Sequence, residues 1–306
     1  MYKLLIVLVL TLVGFQSATA QTKAAKASYN TGNKNFKAKK YKAAAQYYGD
    51  AIKKDPTLLP AYFARARTFK KLKMRKNAIK DYSSIIKRDP KNLKAYFQRA
   101  NLYQSLKAYD DAIEDLEEIS KIDPKNAKAD YARGSIYYVR DKLDEAAAAF
   151  TQAIEKDKTY EKAYLKRGVI KDTQKDYKGA IKDFNRVLDL NPENAEAHMC
   201  KGNTRFNDSK FAKAIRNYEK SIKIDPKNAL THYNLGRSAL NLQKFKTAEA
   251  ALTEAIKLNP DMREAYLTRG YVLSKQWKKE EARKDFQIAG DMGLGIAYTY
   301  IKLYCE

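Results

Sequence analysis

The chain has 306 residues, with 60 Lys and Arg against 36 Asp and Glu, for a formal charge of +24. Twelve glycines and seven prolines among abundant Ala, Lys, Leu and Ile point to an almost wholly α-helical protein. Two cysteines exclude a disulfide framework, and the charge directs attention to anionic partners.

The first twenty residues are a separate object. Lys3 precedes an apolar run from Leu4 to Val13, and Ala18-Thr19-Ala20 follows before Gln21. A charged start, a short apolar core and an A-x-A end are the parts of a cleavable secretory signal. Residues 1–20 are therefore expected to be removed, leaving a mature chain that starts at Gln21 in the periplasm or cell envelope of a Gram-negative bacterium. The apolar run is short for a bilayer span; a retained anchor is the alternative.

Six prolines, at 56, 90, 124, 192, 226 and 260, lie on a lattice of 34 residues, with Lys158 at its one empty point. A fixed period of this size marks a solenoid built from one repeated supersecondary unit. Placing the lattice at repeat position 32 gives eight repeats: 25–58, 59–92, 93–126, 127–160, 161–194, 195–228, 229–262 and 263–290. Position 8 is then always Gly or Ala, from Gly32 to Gly270, and position 20 is Ala in all eight repeats. Position 24 is always large: Tyr48, Tyr82, Leu116, Phe150, Phe184, Tyr218, Leu252 and Phe286. Small residues at 8 and 20 let two antiparallel helices, A and B, approach closely. Asp or Asn before the proline ends helix B, because the residue preceding Pro disfavours the α region. Asp-Pro-Lys-Asn recurs at 89–92, 123–126 and 225–228 as the connecting turn.

These positions closely resemble the tetratricopeptide repeat family, over residues 25 to about 290. Ser28 and Asp130 depart from it at position 4, where a large residue is usual. The resemblance implies an all-α, right-handed superhelical solenoid that binds peptides or helices on its concave face. Residues 291–306, with a helix from Leu294 to Tyr304, are expected to cap the last repeat.

Comparing the repeats with one another separates structural from available charge. Position 7 is Arg65, Arg99, Arg133, Arg167 and Arg269; position 23 is Asp81, Asp115, Asp183 and Asp285. Each of these Asp residues shares a repeat with one of the Arg residues. The pairs Arg65–Asp81, Arg99–Asp115, Arg167–Asp183 and Arg269–Asp285 are expected to bridge helices A and B, with a bidentate geometry that Lys would not reproduce.

No catalytic residues, metal site or cofactor are expected. His198 and His232 share position 4 with Tyr62, Tyr96, Tyr164 and Tyr266, a packing slot, and lack the further ligands a metal needs. No Gly-rich phosphate loop, nucleophile elbow or catalytic Cys–His pair is present. Cys200 and Cys305 read as unpaired thiols.

The informative surface is helix A at positions 5, 9 and 12, turned about 100° from the packing face. Position 5 carries Tyr29, Phe63, Phe97, Tyr131 and Tyr233, an aromatic stripe on a face not needed for the contact between helices A and B. It either packs on the next repeat or anchors a partner. Family members that clamp chaperone tails place cations at positions where Met199, Glu264 and Thr268 stand here; only Asn203 and Asn234 match, so that clamp is absent. Residues 21–92 hold 20 Lys and Arg against 4 Asp and Glu, whereas 93–306 hold 39 against 32. Lys26, Lys37, Arg67, Lys70 and Lys71 fall at groove-facing positions of this basic end and form a candidate basic patch.

These readings define a non-enzymatic interaction scaffold in the cell envelope, holding an unidentified partner's peptide or helix in its groove. The alternative is a binder of anionic surfaces, membrane headgroups or acidic polysaccharide, through the basic repeats. Export makes nucleic acid the least expected anion.

Overall fold

The computed structural model describes residues 22–306; the signal-like segment 1–20 lies outside the described residues. Seventeen α-helices and no strand occur among them, and none of those helices is long and apolar enough to cross a membrane. The chain forms two compact units that divide between Lys142 and Leu143.

The first unit contains α1 (22–37), α2 (Tyr41–Lys54), α3 (Leu59–Lys71), α4 (Arg75–Arg88), α5 (Leu93–Ser105), α6 (Tyr109–Ile122) and α7 (Ala127–Val139). The second opens with α8 (Leu143–Lys156) and α9 (Glu161–Thr173), followed by α10 (Tyr177–Leu190), α11 (Ala195–Asn207), α12 (Phe211–Ile224) and α13 (Ala229–Asn241). It closes with α14 (Phe245–Leu258), α15 (Arg263–Lys275), α16 (Lys279–Asp291) and α17 (Ile296–Tyr304). Odd-numbered helices up to α15 are A helices and even-numbered ones are B helices. The fold is an all-α repeat solenoid, and in the second unit α9, α11, α13 and α15 also touch side by side.

The repeat pattern has a direct packing cause. All eight position-20 alanines are fully buried, and every position-24 side chain is at most 2% exposed. The position-24 ring lies on the position-8 residue. A Cβ at Gly32 would come within 2.6 Å of Tyr48, and one at Gly202 within 2.5 Å of Tyr218. Interiors packed at crystal density leave no room for that extra atom.

Each A-to-B turn passes through a left-handed residue at position 15: Lys39, Lys73, Lys107, Asp141, Lys175, Ser209, Gln243 and Trp277, with φ between 54° and 64°. None is glycine. The turn is held by an amide that reaches back five residues, as in Met74 N–H donating to Phe69 O at 2.8 Å and Ala108 N–H to Tyr103 O at 2.9 Å. That Schellman pattern satisfies the last carbonyls of helix A and offsets the left-handed strain. The B-to-A turns use side chains instead. Asp89 accepts from the Lys91 amide and from Asn92 Nδ2, and Asn92 Oδ1 in turn caps α5 by accepting from Ala95 N at 3.0 Å. At the empty lattice point Asp157 accepts from Thr159 N at 2.8 Å, so the turn forms around Lys158 without proline.

The four Arg–Asp pairs are bidentate, with N···O distances of 2.6–3.0 Å. Their carboxylates are buried. Burial pushes the Asp81 and Asp115 carboxyls up, and the hydrogen bonds from Arg65 and Arg99 only partly oppose it. Three of the four pairs also have a third member that the sequence comparison missed; Arg65 lacks one because Gly49 stands at the matching position. Arg99 donates to Ser83 Oγ at 2.8 Å, Arg167 to Thr151 Oγ1 at 3.0 Å and Arg269 to Thr253 Oγ1 at 3.1 Å. These acceptors all stand at position 25 of the preceding repeat, so each arginine joins three helices and fastens one repeat to the next. Repeat 4 has Arg133 but no Asp at position 23; the buried Asp130 supplies the carboxylate from the same helix at 3.0 Å. That accounts for the unusual acid at position 4.

The C-terminal helix α17 packs on α15 and α16 through Tyr300 and Tyr304 against Tyr271, with Tyr300 also edge-on to Phe286. Repeat 8 runs to Asp291, and the cap starts at Ile296 instead of Leu294 because Gly293 takes φ 95° between them.

Two stability outcomes follow from this packing. Gly202→Ala should lower unfolding free energy by about 1–3 kcal/mol, because Tyr218 must shift. Gly295→Ala, with nothing within 4 Å, should be neutral or stabilising; urea denaturation reads both. Asp115→Ala should cost roughly 2–3 kcal/mol by stranding Arg99, while Arg99→Met/Asp115→Leu should recover most of that loss. A double variant no more stable than the single would refute the pairing.

Candidate functional site

In the first unit, three consecutive repeats enclose a cleft of about 510 Å³. Its lining is Tyr29 from α1, Pro60, Phe63, Ala64, Arg67 and Lys70 from α3, Tyr82 from α4, and Lys94 and Gln98 from α5. One face of helix α3 supplies positions 2, 5, 6, 9 and 12, the set that a 3.6-residue period brings to one side. The flanking A helices contribute the walls.

The aromatic floor is also part of the core. Tyr29 rests on Tyr48 with centroids 5.7 Å apart, and Phe63 meets Tyr82 edge-on at 5.9 Å. The expectation that the position-5 face is not needed for contact between helices A and B is thus corrected. The position-24 ring, pressed over the small position-8 residue, extends far enough to reach position 5. Tyr29 and Phe63 are half-buried, with one side on the core and the other lining the cleft, while Tyr48 and Tyr82 are buried behind them.

The cations are positioned by neighbouring side chains. Arg67 lies over the Phe36 ring at 4.3 Å, Lys94 lies over Phe63 at 5.1 Å, and Lys70 donates to Gln98 Oε1 at 2.9 Å. No carboxylate lines the cleft. Burial pushes the Tyr82 hydroxyl up to about 12, with Asp81 adding to the shift and Arg67 opposing it, so Tyr82 is a neutral donor throughout the physiological range.

The structure divides the sequence-derived sites. Tyr29, Phe63, Arg67 and Lys70 come together in the cleft. Lys26, Lys37 and Lys71 are exposed and lie outside its lining, so the expected patch of five is two cleft cations and three others. Phe97 packs on the core of repeats 3 and 4, Tyr131 is half-buried in α7, and Tyr233 packs in the second unit beside Arg237 at 5.6 Å. Lys94 and Gln98 were missed. Their signal was present: positions 2 and 6 of the following repeat are the ones that the chaperone-tail comparison already placed in the groove.

The second unit repeats part of this arrangement. Arg237 lies over Phe206 at 4.6 Å, as Arg67 does over Phe36, and Tyr218 donates to Asn203 at 2.9 Å as Tyr48 does to Asn33 at 2.8 Å. Asn203 Oδ1 also accepts from Asn234 at 3.1 Å, so both amides are engaged within the protein. His198 and His232 donate from Nε2 to the carbonyls of Pro192 and Pro226, each at 3.1 Å. No group of His, Cys, Asp and Glu among the described residues could hold a metal ion. Both thiols are free, and burial pushes Cys200 up to about 12.

Profiles described as tetratricopeptide or TPR repeat match residues 59–92, 93–126, 161–194, 202–243 and 233–291. The chain belongs to the tetratricopeptide repeat family. No curated protein matches this tetratricopeptide repeat chain in sequence. Among solved structures, the C-terminal part of a TPR repeat-containing protein from Cytophaga hutchinsonii aligns with a TM-score of 0.64 at 18% identity, covering 78% of this chain and 97% of that one. YrrB, described as a TPR protein with an unusual peptide-binding site, aligns at 0.52 and 23% identity, covering 60% and 95%. The Cut9–Hcn1 hetero-tetramer aligns at 0.58 and 16%, covering 87% and 53%. At these identities the likeness is one of fold.

Cys200 and Cys305 should resist alkylation by iodoacetamide at pH 8 in the folded tetratricopeptide repeat protein and should both react in denaturant. Burial holds both thiols above their ordinary value, and the thiolate is the reacting form. Fast labelling of Cys200 in the native protein would contradict its placement.

Proposed function

We propose that this chain is a non-enzymatic scaffold of the cell envelope that holds a partner protein by laying a peptide or helix of it in the groove of repeats 1–3. The carrying observation is the cleft: aromatic floor, cationic walls, and lining drawn from three successive repeats. Such a surface offers apolar anchoring and polar orientation for a bound segment. Membership of a repeat family whose member YrrB is described as having a peptide-binding site supports the same use. The envelope location rests on Lys3, the apolar run and Ala18-Thr19-Ala20.

A second reading, attachment to an anionic surface, is favoured by one observation, the excess of 20 cations over 4 anions in residues 21–92. The two readings separate experimentally. Affinity capture from envelope extracts should retain partners on wild type and lose them on Arg67→Glu/Lys70→Glu, a change at exposed positions that should leave the circular dichroism spectrum unaltered. Retention that is indifferent to both substitutions would remove the groove from the function. N-terminal sequencing of the chain from cells should read from Gln21; an intact Met1 on exported protein would remove the cleavage proposal.

A further inference from the structure

We propose that the cleft of repeats 1–3 selects an acidic segment of a partner protein, seating an apolar side chain on Tyr29 and Phe63, which Tyr82 backs, and its carboxylates against Arg67, Lys70 and Lys94. The inference rests on the groove reading above and specifies the chemistry of the occupant.

Charge complementarity is the first support. Three cations and no carboxylate line the cleft, and none of the three forms an ion pair among the described residues. By contrast, the arginines at position 7 have theirs. The cleft cations are placed without being neutralised: an aromatic face or an amide oxygen positions each one while leaving its charge for a ligand. Like charges gathered along one concave surface reinforce one another's potential, and an anion relieves that repulsion.

The second support is an internal comparison. The second unit has the same arginine–phenylalanine stack at Arg237 and Phe206, and the same tyrosine–asparagine bond. There, Leu240 stands at the position of Lys70, Glu264 at that of Lys94 and Thr268 at that of Gln98. The stack is therefore part of the shared framework, whereas the two lysines are particular to the first cleft.

The third support discriminates among anions. A flat bilayer or a rigid polysaccharide meets outward lysines such as Lys53 and Lys87 as readily as the exposed cations of the cleft, but it cannot lay an apolar side chain on the half-buried Tyr29 and Phe63 rings between them. A peptide can, because each residue is narrow and its side chains alternate in direction. A cleft of about 510 Å³ is the size of a site that takes a few side chains.

The test uses the full mature chain and two end-blocked, twelve-residue peptides bearing a neutral fluorophore: one alternates Asp and Leu, and its twin has Asn for every Asp. Fluorescence anisotropy at low salt should show the Asp peptide binding at least about tenfold tighter than the Asn twin, with the gap closing as salt is raised. Lys70→Glu/Lys94→Glu should erase the gap and leave the twin's affinity within about twofold, which also reports an intact fold. Arg237→Glu, in the second unit, should leave the gap unchanged. Equal binding of both peptides to wild type would overturn the acidic preference and leave the groove reading standing. Binding of neither peptide would overturn the groove reading itself. Displacement of the Asp peptide by phosphatidylglycerol vesicles at matched anion concentration, dependent on Lys94, would overturn the proposal in favour of a lipid surface.

Discussion

The seating of a large position-24 side chain on a small position-8 residue is the contact from which the rest of this architecture follows. It brings helices A and B so close that a single added carbon at Gly202 would overlap the Tyr218 ring. That distance leaves the position-24 ring nowhere to go but along the helix-A surface toward position 5. In repeats 1 and 2 this makes Tyr48 and Tyr82 the backing for Tyr29 and Phe63. The floor of the cleft is thus an extension of the core. A surface backed in this way is rigid, and a rigid aromatic anchor loses little entropy when a partner docks.

Two sets of arginines do different work on this frame. Those at position 7 are spent on structure: Arg99, Arg167 and Arg269 each hold a buried aspartate of their own repeat and a position-25 acceptor of the preceding one, and Arg65 holds Asp81. Two repeats keep a polar connection although a member is replaced. Repeat 4 draws its carboxylate from Asp130, and in repeat 6 Lys201 donates to Asn185, again at position 25, at 2.6 Å. The arginines at position 9, Arg67 and Arg237, instead lie across a phenylalanine of the preceding repeat. They remain able to meet a ligand. A single residue type at two positions of one helix, half a turn apart, is divided in this way between holding repeats together and presenting charge.

Much of the fold was legible before any coordinates. The period, the small and large positions and the Arg–Asp co-occurrence all report contacts within one repeat, and eight copies make such contacts readable by comparison. Less of the site was legible. Lys26, Lys37 and Lys71 share a helical face with cleft residues in projection, but the cleft is formed by the sides of three A helices, and those lysines fall beyond its rim. Lys94 belongs to the cleft although it lies on the next A helix. Left-handed residues at position 15 went unseen because glycine, the usual marker, is absent from all eight.

The sequence alone determined the repeat plan, its helices, the Arg–Asp pairs and the concentration of cations in the first repeats. These are set by residues whose partners lie within one repeat, at constant spacing, so the linear pattern carries the physical contact with it. Tertiary structure decided which cations share a cleft, that the aromatic stripe is half core, and that position 25 ties several repeats to the one that follows. Those depend on side chains of neighbouring repeats meeting in space. How near they come is decided by helix packing, which no spacing along the chain records.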